Sequence, residues 1–363
     1  MCGYLFVYVI EYCNTVVYNQ YESTILLFIK GGQIYDMLDE KTKIPLGSFP
    51  QKIHIISDDI QKPILLFLHG GPGVANRHSI TKTHRDLLDR FTLVTWDQRG
   101  TGGSYKDVEV KTLTLERMTD DANELVLWLC KRFNKDKIFV IGGSWGSVLG
   151  SFLAYRYPSS VAAFVGFGQV VNGTRNEEIS YDFAMESAVK AGDTESVNIL
   201  KSIGPPANGI YVGGLDGLMK QRKIMMKYNG YSPDSKNDSL FKSMVLPIVF
   251  SGEYSLVDIY GILNGYKLVL TTMWPSIAGL DIAKETGRFE VPYYIFDGRL
   301  DYNTPAVLVE EYFETIEAPI KELIWFENSG HNPMNDEPEL FKNTLREKLS
   351  DIAIDLKEKG IRV

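Results

Sequence analysis

Three stretches far apart in the chain hold the residue types that acyl-transfer chemistry needs: Ser144, His331 and an acid near residue 300. Ser144 sits in KIFVIGGSWGSVLG, residues 137–150. The apolar, β-branched run Ile138 to Ile141 predicts a buried strand, Gly142 and Gly143 end it, and a helix-compatible stretch opens at Trp145. In Gly142-x-Ser144-x-Gly146 the serine occupies a sharp strand-to-helix corner. Small residues on either side let neighbouring backbone pass, and the hydroxyl points out of the sheet. A serine hydroxyl needs a base, and the base needs a carboxylate to fix its tautomer. The chain has 5 histidines. His54 falls in a predicted strand, His69 in a glycine loop, and His78 and His84 in a helical stretch. His331 alone follows the last predicted strand, in Ser329-Gly330-His331-Asn332-Pro333, and completes the chain order serine, acid, histidine. Two acids follow the preceding strand. Asp297 ends that strand, whereas Asp301 lies past the Gly298 turn on a loop able to curl toward His331; Asp301 is the expected partner and Asp297 the alternative. For the oxyanion, the expected donors are the N–H of Trp145 and that of Gly71 in His69-Gly70-Gly71-Pro72-Gly73. Pro72 has no N–H to offer.

The elements that must carry these residues alternate. Gln51 to Ile56, Ile64 to Leu68, Phe91 to Trp96, Ile138 to Ile141, Val161 to Phe167, Glu290 to Phe296 and Lys321 to Phe326 read as strands, and Ile25 to Ile29 as a further candidate. Helical periods run from about Thr114 to Phe133, from Trp145 to Tyr157, from Thr304 to Thr315 and from Glu337 to Leu356. Uninterrupted apolar strands separated by helices predict a mostly parallel, doubly wound α/β sheet covered on both faces, with ligands outside the carboxyl ends of the strands. Residues 171–284 break the alternation. They are richer in Met, Tyr, Asn and polar residues, and predict a helical lid inserted into a core of residues 46–170 and 285–363. Residues 1–45 are expected to be a peripheral extension.

The chain has 363 residues, 44% hydrophobic and 23% charged, enough to bury a large core. A net charge of -8 without clustered Lys or Arg argues against nucleic acid or an anionic membrane as partner. Cys2, Cys13 and Cys130 are scattered, with neither a disulfide framework nor a metal-ligand grouping, so no metal and no cofactor are expected. The apolar start lacks a positive n-region and a cleavage pattern, and no apolar run is long enough to cross a bilayer. A cytoplasmic protein acting on a small molecule is the expectation.

HGGPG, DQRGTGGS, GGSWGS, GRLD and SGH, in that order, resemble the prolyl iminopeptidase family of α/β-hydrolases, serine aminopeptidases, over about residues 45 to 350. The resemblance implies the α/β-hydrolase fold, Ser144 as nucleophile, Asp301 as acid, His331 as base, and Gly71 with Trp145 as oxyanion donors. It implies a structural role for Asp97 and Arg99, read as a buried ion pair bracing a strand end. The family holds the substrate's free ammonium with lid glutamates, which points first to Glu253 and then to Glu177, Glu178 and Glu186. The family's tryptophan-rich lid segment has no evident counterpart here, so a strict proline preference is not carried over. The expected activity is release of an N-terminal residue, proline among the candidates, from short peptides. The alternatives are an esterase or amidase with the same triad, in which lid acids would be dispensable, and a binding module that has lost catalysis.

Overall fold

The computed structural model describes residues 6–10, 15–20, 23–30, 33–233 and 246–363, and side chains within these from Met37 onward. Its centre is a sheet of strands β1 (Phe6–Ile10), β2 (Thr15–Gln20), β3 (Ser23–Lys30), β4 (Gln33–Leu46), β5 (Phe49–Ser57), β6 (Ile64–Leu68), β7 (Thr92–Trp96), β8 (Ile138–Gly143), β9 (Val161–Phe167), β10 (Tyr293–Gly298) and β11 (Lys321–Phe326). Their order is β1-β2-β3-β4-β5-β7-β6-β8-β9-β10-β11. From β7 to β11 every pairing is parallel, whereas β1 to β5 and the β5–β7 junction are antiparallel.

Helices α1 (Leu115–Phe133), α2 (Trp145–Arg156), α3 (Gly173–Lys190), α4 (Thr194–Ile203), α5 (Leu215–Lys227), α6 (Leu246–Phe250), α7 (Leu256–Ala278), α8 (Ile282–Glu285), α9 (Ala306–Thr315), α10 (Pro333–Asp336) and α11 (Pro338–Glu358) complete the fold. Side chains alternate across a strand, so each central strand feeds two cores. Ile64, Leu66 and Leu68 of β6, Ile138 and Val140 of β8, and Tyr293 and Ile295 of β10 join α1, α2 and α9 on one face. Leu65 and Phe67, Phe139 and Ile141, and Tyr294 and Phe296 join α11 on the other. This two-sided burial is why these strands are unbroken apolar runs.

Between β9 and β10 lies the helical stretch expected from the composition of residues 171–284, and it packs in two ways. Helices α3 to α5 share a core of their own, including Tyr181, Leu200, Tyr211, Leu218 and Met225. Helix α7 instead sends Val269 and Met273 into the main core. Residues 1–45, read as peripheral, hold β1 to β3 and nearly all of β4. Ile44 and Leu46 of β4 are buried, and the strand pairs along its length with β5. Cys130 is buried and free, while Cys2 and Cys13 lie outside the described residues. No helix among the described residues is long and apolar enough to cross a membrane.

Candidate active site

Ser144 stands between β8 and α2 with φ 55° and ψ −121°, a conformation that a residue with a side chain adopts only under constraint. The constraint is visible on both sides. Ser144 N–H donates to the Phe167 carbonyl at 2.9 Å, and the Ser144 carbonyl accepts from the N–H and the hydroxyl of Ser147 at 2.8 and 2.6 Å. A Cβ on Gly146 would overlap the Leu68 carbonyl, and one on Gly142 would overlap the Gly146 carbonyl. Both glycines of the motif are therefore required by backbone contact, and the serine is left at the amino end of α2 above the sheet.

His331 and Asp301 meet on the loops after β11 and β10: Nδ1 lies 2.8 Å from Asp301 Oδ2. That contact places the proton on Nδ1, donated to the carboxylate, and leaves Nε2 with its lone pair. Asp301 is buried, and its carboxylate also accepts from the N–H of Asn303 and Thr304 at 2.7 and 3.0 Å and from the Thr304 hydroxyl at 2.6 Å. Asp297, the alternative acid, is turned elsewhere. It accepts from the N–H groups of Gly168, Gln169 and Gly298, and burial, with the Asp301 charge nearby, pushes its carboxyl well above the ordinary range. The serine and the histidine share a supporting segment. Phe167, which holds Ser144 N–H, is followed by Gly168, where a Cβ would come within 2.9 Å of His331 Cε1.

The first glycine loop lies against the serine: a Cβ on Gly70 would stand 3.1 Å from Ser144 Cβ and 3.8 Å from Oγ. Among the described residues, the N–H groups of Gly71 and Trp145 have no hydrogen-bond partner. Gln98 ties the loop to the elbow. Its side chain donates to the His69 carbonyl at 3.0 Å and accepts from Trp145 Nε1 at 3.0 Å, while its N–H donates to His69 Nε2 at 3.2 Å. His69 Nδ1 in turn donates to the Gly70 carbonyl at 2.9 Å. Burial lowers the His69 imidazole to about 4, so it is a neutral strut.

Glu253 is not brought to the His331 and Asp301 pair. Its carboxylate is 2.8 Å from Lys41, 3.2 Å from Lys82 and 3.6 Å from His54. Burial alone would raise it, but Lys41, His54 and Lys82 outweigh burial and hold it at about 2. Asp97 and Arg99 do not pair with each other, contrary to expectation. Arg99 forks onto Asp121 at 2.7 and 3.0 Å, and Asp97 faces Arg77 at 3.2 Å. Arg77 continues to Asp258 of α7 at 2.9 Å.

Sequence reasoning assigned no role to Asn176 and Asn303, polar residues with no motif of their own, nor to Gln98 within DQRGTGGS. Asn303 Nδ2 lies 3.2 Å from His331 Nε2 and 3.5 Å from Nδ1. An atom on the in-plane axis of Nε2 would be much farther from Nδ1, so the amide covers the ring face and leaves the lone pair open. Asn176 Nδ2 donates to the Asn303 carbonyl at 2.7 Å. Beside it, Glu177 is buried and pairs with Arg222, and its Oε2 has no hydrogen-bond partner among the described residues.

A family model described as the α/β-hydrolase fold matches residues 63–194. A probable aminopeptidase, YbaC, of Bacillus subtilis is 27% identical over 304 residues, covering 84% of this chain and 94% of that protein. A proline iminopeptidase of Heyndrickxia coagulans is 20% identical over 79% of this chain and 91% of its own length. The crystal structure of the Mycobacterium smegmatis proline iminopeptidase superposes with a TM-score of 0.63 at 16% identity, covering 87% of this chain and 99% of that one. With this sheet order, elbow and loop arrangement, the chain has the α/β-hydrolase fold, and it is similar along most of its length to a probable aminopeptidase and to a proline iminopeptidase.

Proposed function

We propose that the protein is a serine hydrolase that releases an N-terminal residue, proline among the candidates, from short peptides, with Ser144, His331 and Asp301 as its triad. The observation that carries this reading is the 2.8 Å contact between His331 Nδ1 and a fully hydrogen-bonded Asp301, with His331 packed against Gly168 next to the Phe167 that supports the strained Ser144. In the reaction, His331 Nε2 takes the Ser144 proton as Oγ attacks the scissile carbonyl. The N–H groups of Gly71 and Trp145 receive the oxyanion. The imidazolium, stabilised by Asp301, passes its proton to the leaving nitrogen as the C–N bond breaks. A water molecule, deprotonated by the same Nε2, then cleaves the acyl-enzyme and returns the proton to Ser144.

An aminopeptidase must hold the α-ammonium of the acyl residue. Glu253 is held by Lys41 and Lys82 and is not brought to the His331 and Asp301 pair, whereas Glu177, paired with Arg222 through Oε1, lies beside Asn176, which donates to both Glu177 Oε1 and the Asn303 carbonyl, and its Oε2 has no hydrogen-bond partner among the described residues. This favours Glu177 as the ammonium acceptor. The test compares free and N-acetylated aminoacyl β-naphthylamides, proline and alanine among them, with a p-nitrophenyl ester. The free amides are expected to turn over, the acetylated ones to be at least about 100-fold poorer, the scale of an unpaired buried charge, and Ser144→Ala to be inert. Glu177→Gln should remove the preference for the free amine. Equal turnover of acetylated and free amides would favour the esterase or amidase reading.

A further inference from the structure

The loops that bear the acid and the base are fastened to the helical insertion as well as to the ends of the strands. Leu300 N–H donates to the Ser329 carbonyl at 2.9 Å and Asp301 N–H to the Gly298 carbonyl at 3.2 Å, after which the chain turns to the insertion. Tyr302 N–H, immediately after the acid, donates to the Gly230 carbonyl at 2.9 Å, and His331 N–H donates to the Tyr231 carbonyl at 2.7 Å. Two consecutive carbonyls that follow α5 thus receive one donor from each loop. The Tyr231 ring lies 4.9 Å from the imidazole. A Cβ on Gly330 would overlap the Tyr231 carbonyl, so the strap and the histidine loop are in direct backbone contact. From α3, Phe183 stacks on Tyr302 at 3.8 Å and 15°, and Asn176 holds the Asn303 carbonyl.

We propose that residues 230 and 231, with Phe183 and Asn176, are positioning elements, so that the Asp301 and His331 pair is assembled only while the insertion is docked. The proposal rests on the hydrolase reading above. A shift of the strap would move both loops together, and losing either bond would leave a buried donor unpaired. The insertion therefore acts as a switch on the base as well as a cover. A ligand that wedged it away would stop turnover without touching the triad, and a productive substrate is one small enough to leave it docked.

The test uses the full chain with Tyr231→Ala, Tyr231→Phe and Phe183→Ala. It measures kcat and KM on a free-amine aminoacyl β-naphthylamide, the fluorophosphonate labelling rate, and the downfield proton resonance of the His331 Nδ1–H. Tyr231→Ala and Phe183→Ala are expected to lower kcat and labelling about 10- to 100-fold, the scale of a misplaced catalytic group. KM should be nearly unchanged and the downfield resonance weakened. Tyr231→Phe, which keeps ring and carbonyl, should restore wild-type values. If Tyr231→Ala does not fold, Phe183→Ala decides alone. Wild-type kcat with an unmoved resonance in the folded alanine variants would overturn the proposal. Labelling of Ser144→Ala at the wild-type rate would instead overturn the hydrolase reading beneath it.

Discussion

The strain at Ser144, of order 1–3 kcal/mol for such a backbone, is offset by the bonds from Phe167 and Ser147. Those bonds leave the side chain free of backbone duty, as the proposed role of nucleophile requires. Asp301 differs in kind: it accepts from two backbone N–H groups, a hydroxyl and the imidazole, so it fixes both the loop and the tautomer. Asp301→Asn should keep the fold, because the amide oxygen still accepts from the loop, but it reverses the bond to Nδ1. We expect kcat to fall about 10³- to 10⁴-fold, as a wrong tautomer does, with KM little changed. A loss under tenfold in steady-state assays would count against this role. The strand-to-helix corner at Ser144 and the contact of His331 with Asp301 rather than Asp297 were legible as geometry because each depends on local spacing after a strand. The surroundings of Glu253 were not legible because its partners, Lys41 and Lys82, come from distant stretches. Asn303 was invisible because its value lies in what it covers, and pairwise spacing does not report that.

Among the elements, the elbow is the least tolerant. Helix α2 crosses so close to β6 that a Cβ on Gly146 would overlap the Leu68 carbonyl. Backbone cannot yield there as a flexible side chain would. Gly146→Ala should therefore destabilise the protein by about 3 kcal/mol, read as a lower denaturant midpoint with unchanged slope. Gly192→Ala, at a site with nothing within 4 Å of the added carbon, should show only the smaller backbone penalty of its positive φ. The central strands were legible for the reason they are buried, an apolar side chain on both faces. Strand β4 was not. Its sequence, QIYDMLDEKTKIPL, is crowded with charges, and only its pairing with β5 and β3 makes it a strand. The insertion was legible as a change of composition. That α7 would join the main core was not, since this depends on Gly261 and Gly265 lying against the carbonyls of Gly102 and Gly100.

For the whole molecule, the buried histidines set a pH dependence. His69 is lowered by burial to about 4, against an unfolded value near 6.5. Between those values the unfolded chain binds more protons, so stability rises with pH. His69's contribution is complete above about 6.5 and is lost as pH falls toward 4, amounting to about 3 kcal/mol. Burial also lowers His54 and His78, while Asp297, raised by burial and by Asp301, contributes a slope of opposite sign. The clean measurement is thus a difference. Stability of His69→Gln should depend less steeply on pH than the wild type between 4 and 6.5, and equal slopes would contradict the neutral strut. Glu253, held at about 2, acts in a lower window: its stabilisation is present above its ordinary value near 4.5 and is lost as pH falls through about 2. The proposed chemistry depends on one oxygen atom, Ser144 Oγ. Treatment of the full chain with a fluorophosphonate, followed by peptide mass mapping, should give a single adduct on Ser144, absent in Ser144→Ala and formed at least about 100-fold more slowly in His331→Ala. An adduct elsewhere, or undiminished labelling of Ser144→Ala, would contradict it.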